Sequence, residues 1–216
     1  MKTHLLIFDF DGTLADTHEL IIQTNQEAMR QMGFPVLEDR VISRTIGLPL
    51  VEGLKTMFPE LTQEDLPAWV KTYRRIFDQL KTQIIPDLFP HVKETLETLH
   101  AQGYVLTVAS SRLSLSLNDF LRNMGIAPYF SYVLGADNVS AAKPDPEPVL
   151  KTLRDLHFRA DEALVVGDMP VDILMGARAG AFTCGVTYGN SNREALKEAG
   201  ANHVLDDFGQ LPSIIA

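Results

Sequence analysis

The sequence predicts an α/β protein: a Rossmann-like, doubly wound parallel sheet forms the core, and an α-helical domain is inserted into it. Short apolar runs with strand character recur along the chain, separated by stretches with helical periodicity. Runs that are apolar on both faces and joined by helices are typical of a parallel sheet covered on both sides. Between the first and second runs, residues 11–103 show helical patterns but no convincing strand.

Five apolar runs predict the strands of the core sheet. The fifth run contains a glycine and gives the weakest prediction of the five. The predicted strands are 4–10 (HLLIFDF), 104–109 (YVLTVA), 132–134 (YVL), 163–166 (ALVV) and 181–186 (AFTCGV).

The long segment between the first two strands predicts the inserted helical domain. Apolar residues recur there at helical spacing, and prolines and glycines mark the breaks between helices. We expect residues 17–86 to form this domain, and residues 1–16 and 87–216 to form the α/β core. The helical patterns are 19–32, 50–57, 64–80 and, at the return to the core, 91–100.

The composition limits the classes of function. The 216 residues are 45% hydrophobic, which is enough for a sizeable core, and the formal net charge is −9. Such an acidic chain is a poor candidate for binding nucleic acid or an anionic membrane surface. The single cysteine, Cys184, excludes an internal disulfide. The N-terminal apolar run is interrupted early by Asp9 and Asp11, so we predict no signal peptide or membrane span and expect a cytoplasmic protein.

The stretch I-F-D-F-D-G-T-L, residues 7–14, places two carboxylates at the end of the first predicted strand. Ligands of parallel α/β sheets bind outside the carboxyl ends of strands, and residues two apart in an extended segment point to the same side. Asp9 and Asp11 would then need a shared proton or a hard cation such as Mg²⁺ between them. Gly12 permits a turn, and Thr13 offers a hydroxyl and an amide to an anion. The alternative is a solvated Asp-Gly turn.

Polar residues also follow three later strands. Ser110, Ser111 and Arg112 follow the second, and their hydroxyls suit either phosphate oxygens or a helix cap. Lys143 opens a proline-rich turn after the third strand, where it could neutralise a phosphate or remain a solvated charge. Asp168 and Asp172 follow the fourth; a helix cap would account for Asp168 but not for Asp172.

These four motifs, in this order, resemble those of the haloacid dehalogenase superfamily of phosphohydrolases. The matching residues are D-F-D-G-T at 9–13, Ser110, Lys143 and G-D-M-P-V-D at 167–172. The resemblance spans nearly the whole chain. The helical insertion after the first motif resembles the cap of the phosphoglycolate phosphatase and β-phosphoglucomutase branch.

The resemblance implies a mechanism and a role for each motif residue. Asp9 would attack phosphorus to give an aspartyl-phosphate, and Asp11 would act as general acid and then general base. Asp9, the backbone carbonyl of Asp11, and Asp168 would hold Mg²⁺. Asp172 would support that site through water or hydrogen bonds. The expected phosphate-binding groups are Ser110, Ser111, Lys143 and the amides of Gly12 and Thr13.

The expected function is Mg²⁺-dependent hydrolysis of a small phosphomonoester, with a phosphoglycolate-like substrate favoured. Inorganic pyrophosphate and sugar phosphates remain alternatives, as does a non-catalytic phosphate-binding protein. Ile21 stands where the mutase pattern has a histidine, which disfavours phosphoglucomutase activity. His18, Gly47 and Arg112 are candidate substrate contacts. We expect a monomer or a weak homodimer.

Overall fold

A computed structural model describes residues 3–215 and contains one six-stranded sheet in which every pair of neighbours is parallel. The strand order is β3-β2-β1-β4-β5-β6. The doubly wound α/β core predicted from the sequence is therefore confirmed. The strands are β1 Leu5–Phe8, β2 Val105–Ala109, β3 Phe130–Leu134, β4 Ala163–Gly167, β5 Phe182–Val186 and β6 His203–Leu205.

The order of strands reverses between β1 and β4, which pair in register from Leu5 opposite Ala163 to Phe8 opposite Val166. A crevice opens at such a switch point, outside the carboxyl ends of the two strands. Asp9 and Asp168 each follow one of these strands directly. The fold thus brings the first and fourth sequence motifs side by side.

Helices cover both faces of the sheet. Leu6 and Phe8 point to one face and belong to a cluster of buried side chains shared with the helices that precede and follow β2. Leu5 and Ile7 point to the other face, against the helices on either side of β4. The helices of the core are α5 Val92–Ala101, α6 Ser114–Asn123, α7 Glu147–Leu156, α8 Pro170–Arg178, α9 Arg193–Glu198 and α10 Pro212–Ile215.

Four of the five helices between β1 and β2 share a hydrophobic cluster of their own. Trp69 is fully buried at its centre, and its ring lies 5.1 Å from that of Phe34 and 5.6 Å from that of Phe58. We call this segment the helical insertion; its division from the core at 17 and 86 remains a prediction. Its helices are α1 His18–Met32, α2 Asp39–Ser43, α3 Leu50–Met57 and α4 Leu66–Leu80.

The element boundaries differ from the predicted ones where local hydrogen bonds override the apolar pattern. The first strand ends at Phe8 rather than Phe10, because the carbonyl of Phe10 accepts from the amides of Leu14 and Ala15 in a tight turn. Four short elements were not predicted; each spans only three to six residues, too few to show a period, and they are α2, α9, α10 and β6. Within residues 3–215, none of the helices is long and apolar enough to cross a membrane.

Candidate active site

Three carboxylates meet in the crevice between β1 and β4. Asp9, Asp168 and Asp172 each offer one oxygen, and these oxygens lie within 4.8 Å of one another. All three residues are buried, with Asp9 3% exposed and the other two fully enclosed. The sequence predicted Asp9 and Asp168 as neighbours. The structure adds the carboxylate of Asp172 to the same group, from the first turn of α8.

Lys143 bridges two of these carboxylates. Its Nζ donates to Asp9 Oδ1 and to Asp172 Oδ1, each at 2.7 Å, and its side chain is only 2% exposed. Burial alone would lower the pKa of Lys143, but the adjoining carboxylates of Asp172 and Asp9 outweigh it and raise the pKa above its usual value. The lysine is therefore a fixed positive charge, and it holds Asp9 in one orientation.

Burial also changes the acidity of the carboxyl groups. It raises the pKa of Asp9 well above the ordinary value; Lys143 opposes this rise, and the negative charges of Asp172 and Asp168 add to it. Burial, together with the charge of Asp172, raises the pKa of Asp168 to about 7. Because the three carboxyl groups lie so close together, ionising all of them at once is unfavourable unless a further cation binds beside them.

The group fits a hard divalent cation. When all three carboxylates are ionised, they and the ammonium of Lys143 carry a net charge of −2 in a buried volume. Asp9 Oδ2 is buried and has no hydrogen-bond partner among residues 3–215. Unpaired buried oxygens are rare in proteins, and oxygen-only donor sets suit Mg²⁺ or Ca²⁺. The part predicted for the backbone carbonyl of Asp11 stays a prediction.

Gly12 makes room for this arrangement. Its φ is +85°, and a Cβ placed on it would collide with the carboxylate of Asp168 and the side-chain amide of Asn190. Thr13 Oγ1 donates to Asp168 Oδ1 at 3.2 Å. The amide of Gly12 donates to the carbonyl of Ala15 at 2.9 Å, and that of Thr13 to Phe10 at 3.4 Å. The phosphate contacts predicted for these two amides remain predictions.

Asp11 lies beside this cluster and has different partners. Thr17 Oγ1 donates to its Oδ1 at 2.6 Å, and the guanidinium of Arg112 donates to both of its oxygens through Nε and Nη2. The Arg112 side chain is 8% exposed and lies over the rings of Phe77 and Phe120, 4.9 and 4.7 Å from their centroids. Arg112, predicted as a substrate contact, is thus also the partner that orients Asp11.

The two serines of the second motif line the same small hollow but have different hydrogen-bond partners. Ser110, Ser111 and Lys143 line this hollow of about 10 Å³, and Ser110 Oγ accepts from the amide of Arg112 at 3.2 Å. Ser111 Oγ donates to the carbonyl of Gly47 at 2.6 Å. Gly47 belongs to the loop between α2 and α3, so this bond ties the helical insertion to the core.

Asn190 is a site residue that the sequence reasoning missed. Its backbone and side-chain amides donate to Asp168 Oδ2 at 2.7 and 2.9 Å, and its Oδ1 lies 3.0 Å from Nδ1 of His18. It therefore links His18, a predicted substrate contact at the start of α1, to the carboxylate cluster. The signal was available: Asn190 follows β5, at the same edge of the sheet as the other motifs.

A cavity of about 440 Å³ lies between the helical insertion and the core. Asp11, Ser111 and Arg112 line it from the core, and Gly47 lines it from the insertion. His18 and the three clustered carboxylates do not appear among its lining residues. The cavity therefore begins at the second aspartate of the first motif and extends away from the carboxylate cluster.

Comparisons with known proteins agree with this architecture. The family model for haloacid dehalogenase-like hydrolases matches residues 6–186. The probable phosphatase IndB of Dickeya dadantii is 36% identical over 212 residues, which cover 96% of this chain and 91% of that protein. The phosphoglycolate phosphatase of Vibrio cholerae is 33% identical over 221 residues, covering 98% of this chain and 96% of that protein.

The crystal structure of a hydrolase from Pseudomonas syringae matches the whole fold. Its TM-score is 0.87 at 28% sequence identity, and the match covers 98% of each chain. The family model spans most of the chain, including all four sequence motifs. The chain therefore belongs to the family of haloacid dehalogenase-like hydrolases.

Proposed function

We propose that this hydrolase is a Mg²⁺-dependent phosphatase that releases phosphate from a small phosphomonoester through an aspartyl-phosphate on Asp9. The observation that carries the proposal is the buried lysine that bridges Asp9 and Asp172. A lysine buried between carboxylates keeps its charge and fixes the geometry of the carboxylate that it contacts. Burying these charged groups costs free energy of desolvation, and such clusters are more typical of sites that bind anions than of contacts that stabilise the fold.

In the first step, an oxygen of Asp9 forms a bond to phosphorus while the bond from phosphorus to the leaving oxygen breaks. Lys143 holds Asp9 Oδ1, so the carboxylate does not rotate during the attack. We assign to Asp11 the transfer of a proton to the leaving oxygen. Thr17 and Arg112 hold the Asp11 side chain in place for this task.

In the second step, a water molecule attacks phosphorus, the bond to Asp9 breaks, and Asp11 takes the proton of that water. Asp9 is thereby regenerated and inorganic phosphate leaves. A magnesium ion held by Asp9, Asp168 and the carbonyl of Asp11, with Asp172 beside them, would neutralise charge on the phosphoryl oxygens. The other phosphate contacts that we propose are Ser110, Ser111, Lys143 and the amides of Gly12 and Thr13.

Hydrolysis is favoured over phosphoglucomutase activity by the lining of the cavity. Ile21, which stands where the mutase pattern has a histidine, lines this cavity, and it offers no group that could move a proton. Phosphoglycolate is a reasonable first substrate because relatives named for it are about one-third identical to this chain. Pyrophosphate and sugar phosphates are the alternative substrates and should be assayed beside it. A cytoplasmic location and a monomeric or weakly dimeric state stay predictions.

The test is phosphate release from a panel of phosphomonoesters and pyrophosphate, with Mg²⁺ and with EDTA. We expect turnover only with the metal, and a fall of more than about a thousandfold in kcat for Asp9→Asn. Asp87→Asn, which alters an exposed aspartate, is the matched control and should keep the wild-type rate. Equal turnover by Asp9→Asn and wild type would refute the role of Asp9.

A further inference from the structure

We propose that the leaving group of the substrate is neutral and largely apolar, and that it fills the cavity between the helical insertion and the core. This inference rests on the proposed phosphatase function and names its substrate class. It distinguishes the chain from an enzyme dedicated to phosphoglycolate or pyrophosphate, whose leaving groups are small anions.

The cavity is continuous with the group that would protonate the leaving oxygen. Asp11 lines it, as do Ser111 and Arg112. A phosphoryl group held at the carboxylate cluster would therefore direct the rest of the ester into this cavity. Its volume of about 440 Å³ falls in the range of pockets for drug-sized ligands, roughly 300–1,000 Å³. Glycolate, with five heavy atoms, would leave most of it unfilled.

The walls of the cavity are mainly apolar, and both parts of the molecule contribute to them. The loop and helices of the insertion supply one side, and the start of α6 supplies the other. Apolar walls gain free energy only when an apolar surface replaces the water against them. Six of the apolar lining residues are Ile46, Leu48, Met57, Val70, Leu113 and Leu115.

The charges around the cavity cancel one another. Three aspartates and three cations line it, so its formal charge is zero. Arg112 is held by Asp11, and Lys81 is paired with Asp78 at 2.7 Å. Arg74 makes no ion pair with any residue in the range 3–215, but it is exposed to solvent, where a single cation attracts an anion only weakly. The cavity thus offers no buried, unpaired cation that could bind an anionic leaving group.

The experiment measures binding and turnover separately. Binding uses non-hydrolysable phosphonates of increasing alkyl length, with phosphonoacetate as the anionic member, titrated into the Mg²⁺-loaded protein by calorimetry. Turnover uses the matching alkyl phosphates, whose leaving alcohols have similar acidity, beside phosphoglycolate and pyrophosphate. We expect affinity and kcat/KM to rise roughly three- to fourfold per added methylene until the cavity is filled, and phosphonoacetate to bind no better than methylphosphonate.

Leu115 provides a variant that should not disturb folding. It lines the cavity, yet 74% of its surface is exposed. Leu115→Asp should weaken the longest phosphonates about tenfold without changing the affinity for methylphosphonate. Leu150→Asp, a substitution of a 46% exposed leucine on α7 away from the cavity, should change neither.

Affinity that does not rise with alkyl length, or tighter binding of phosphonoacetate than of butylphosphonate, would overturn the inference even if turnover of phosphoglycolate were rapid. Failure of the proposed function looks different. It would appear as no turnover of any ester with Mg²⁺, while the phosphonate series still reports whether the cavity selects apolar groups.

Discussion

The carboxylate cluster of the core and the cavity wall of the helical insertion are built in opposite ways. The cluster and Lys143 bury four charged side chains, each held by direct hydrogen bonds, whereas the insertion presents mainly apolar side chains to the cavity. Buried charges tolerate little displacement, since each depends on its partners for compensation. Apolar walls accept many shapes. The difference supports the proposed division, in which the core determines the chemistry and the insertion selects the group attached to the phosphate.

Three of the contacts between the two regions involve residues of the site. Ser111 donates to Gly47, His18 lies within hydrogen-bond distance of Asn190, and Arg112 lies over the ring of Phe77 in α4. The last contact matters most, because the same guanidinium holds Asp11. The position of the insertion is therefore linked through Arg112 to Asp11, the proposed acid and base.

The largest expected effect on the core comes from Lys143→Met. Removing the ammonium leaves Asp9 and Asp172 buried without compensation, which should lower the free energy of unfolding by about 3–5 kcal/mol and abolish turnover. Urea unfolding with and without Mg²⁺ measures the loss, and the metal should restore part of it. Lys151→Met, at a partly exposed ion pair with Asp155, is the control and should change far less than Lys143→Met. Wild-type stability in Lys143→Met would contradict the buried network.

A smaller effect is expected from Asp168→Asn, and its sign depends on pH. Because burial raises the pKa of Asp168 to about 7, the folded metal-free protein holds a proton that the unfolded chain loses near its ordinary Asp pKa of about 3.9. This contribution to stability is present below about pH 4 and is lost as the pH rises through about 7. In Asp168→Asn, this loss of stability with rising pH should be absent.

Urea unfolding in EDTA at about pH 5 and pH 8 tests this expectation. The wild type should lose more stability between the two values than Asp168→Asn, by roughly 1–3 kcal/mol. The variant should also lose the stabilisation by Mg²⁺. If the stability of the two proteins had the same pH dependence, burial would not raise the pKa of Asp168 as described above.

Asn190→Ala should weaken metal binding without abolishing it. Asn190 donates twice to Asp168 Oδ2, and loss of such a supporting contact typically costs about 10- to 100-fold in metal affinity. Its backbone amide remains, so the lower end of this range is expected. Titration of activity with Mg²⁺ measures the change. Asn192→Ala, which removes a helix cap in the same loop, should leave the metal dependence unchanged.

The smallest effect is expected from changing His18, the residue of the insertion that contacts Asn190. His18 is half-buried and reaches the cluster only through Asn190. His18→Ala should shift the Mg²⁺ midpoint by less than about threefold and leave kcat on methyl phosphate nearly unchanged. A loss as large as that of Asn190→Ala would show that the insertion takes part in the chemistry, and the proposed division between the two regions would fail.

Much of the core was predictable because buried parallel strands are recognised by their composition and the site lies where they end. Asp9, Lys143, Asp168 and Asp172 were all placed at strand ends from the sequence, and the structure brings them together. The pairing of Asp11 with Arg112 was not predicted. A residue 101 positions away becomes a partner only through the tertiary packing of α4 and α6, which no local pattern encodes.

The cavity was equally hidden from the sequence. Apolar residues such as Leu48 and Val70 follow the same helical and loop patterns whether they fill a core or line a pocket. Asn190 could have been predicted by extending the strand-end rule to the fifth strand. The short elements α2 and β6 could not, because five and three residues are too few to show a period.

The most direct test of the proposed chemistry is mass spectrometry of the Asp11→Asn variant, quenched in acid after mixing with Mg²⁺ and an aryl phosphate, whose leaving group departs without a proton from Asp11. Loss of the general base should slow the second step, so we expect one phosphoryl group on the peptide that contains Asp9, and none when EDTA replaces the metal. Steady turnover by wild type under the same conditions, with no trace of phosphorylated Asp9 in either protein, would contradict the covalent role of Asp9.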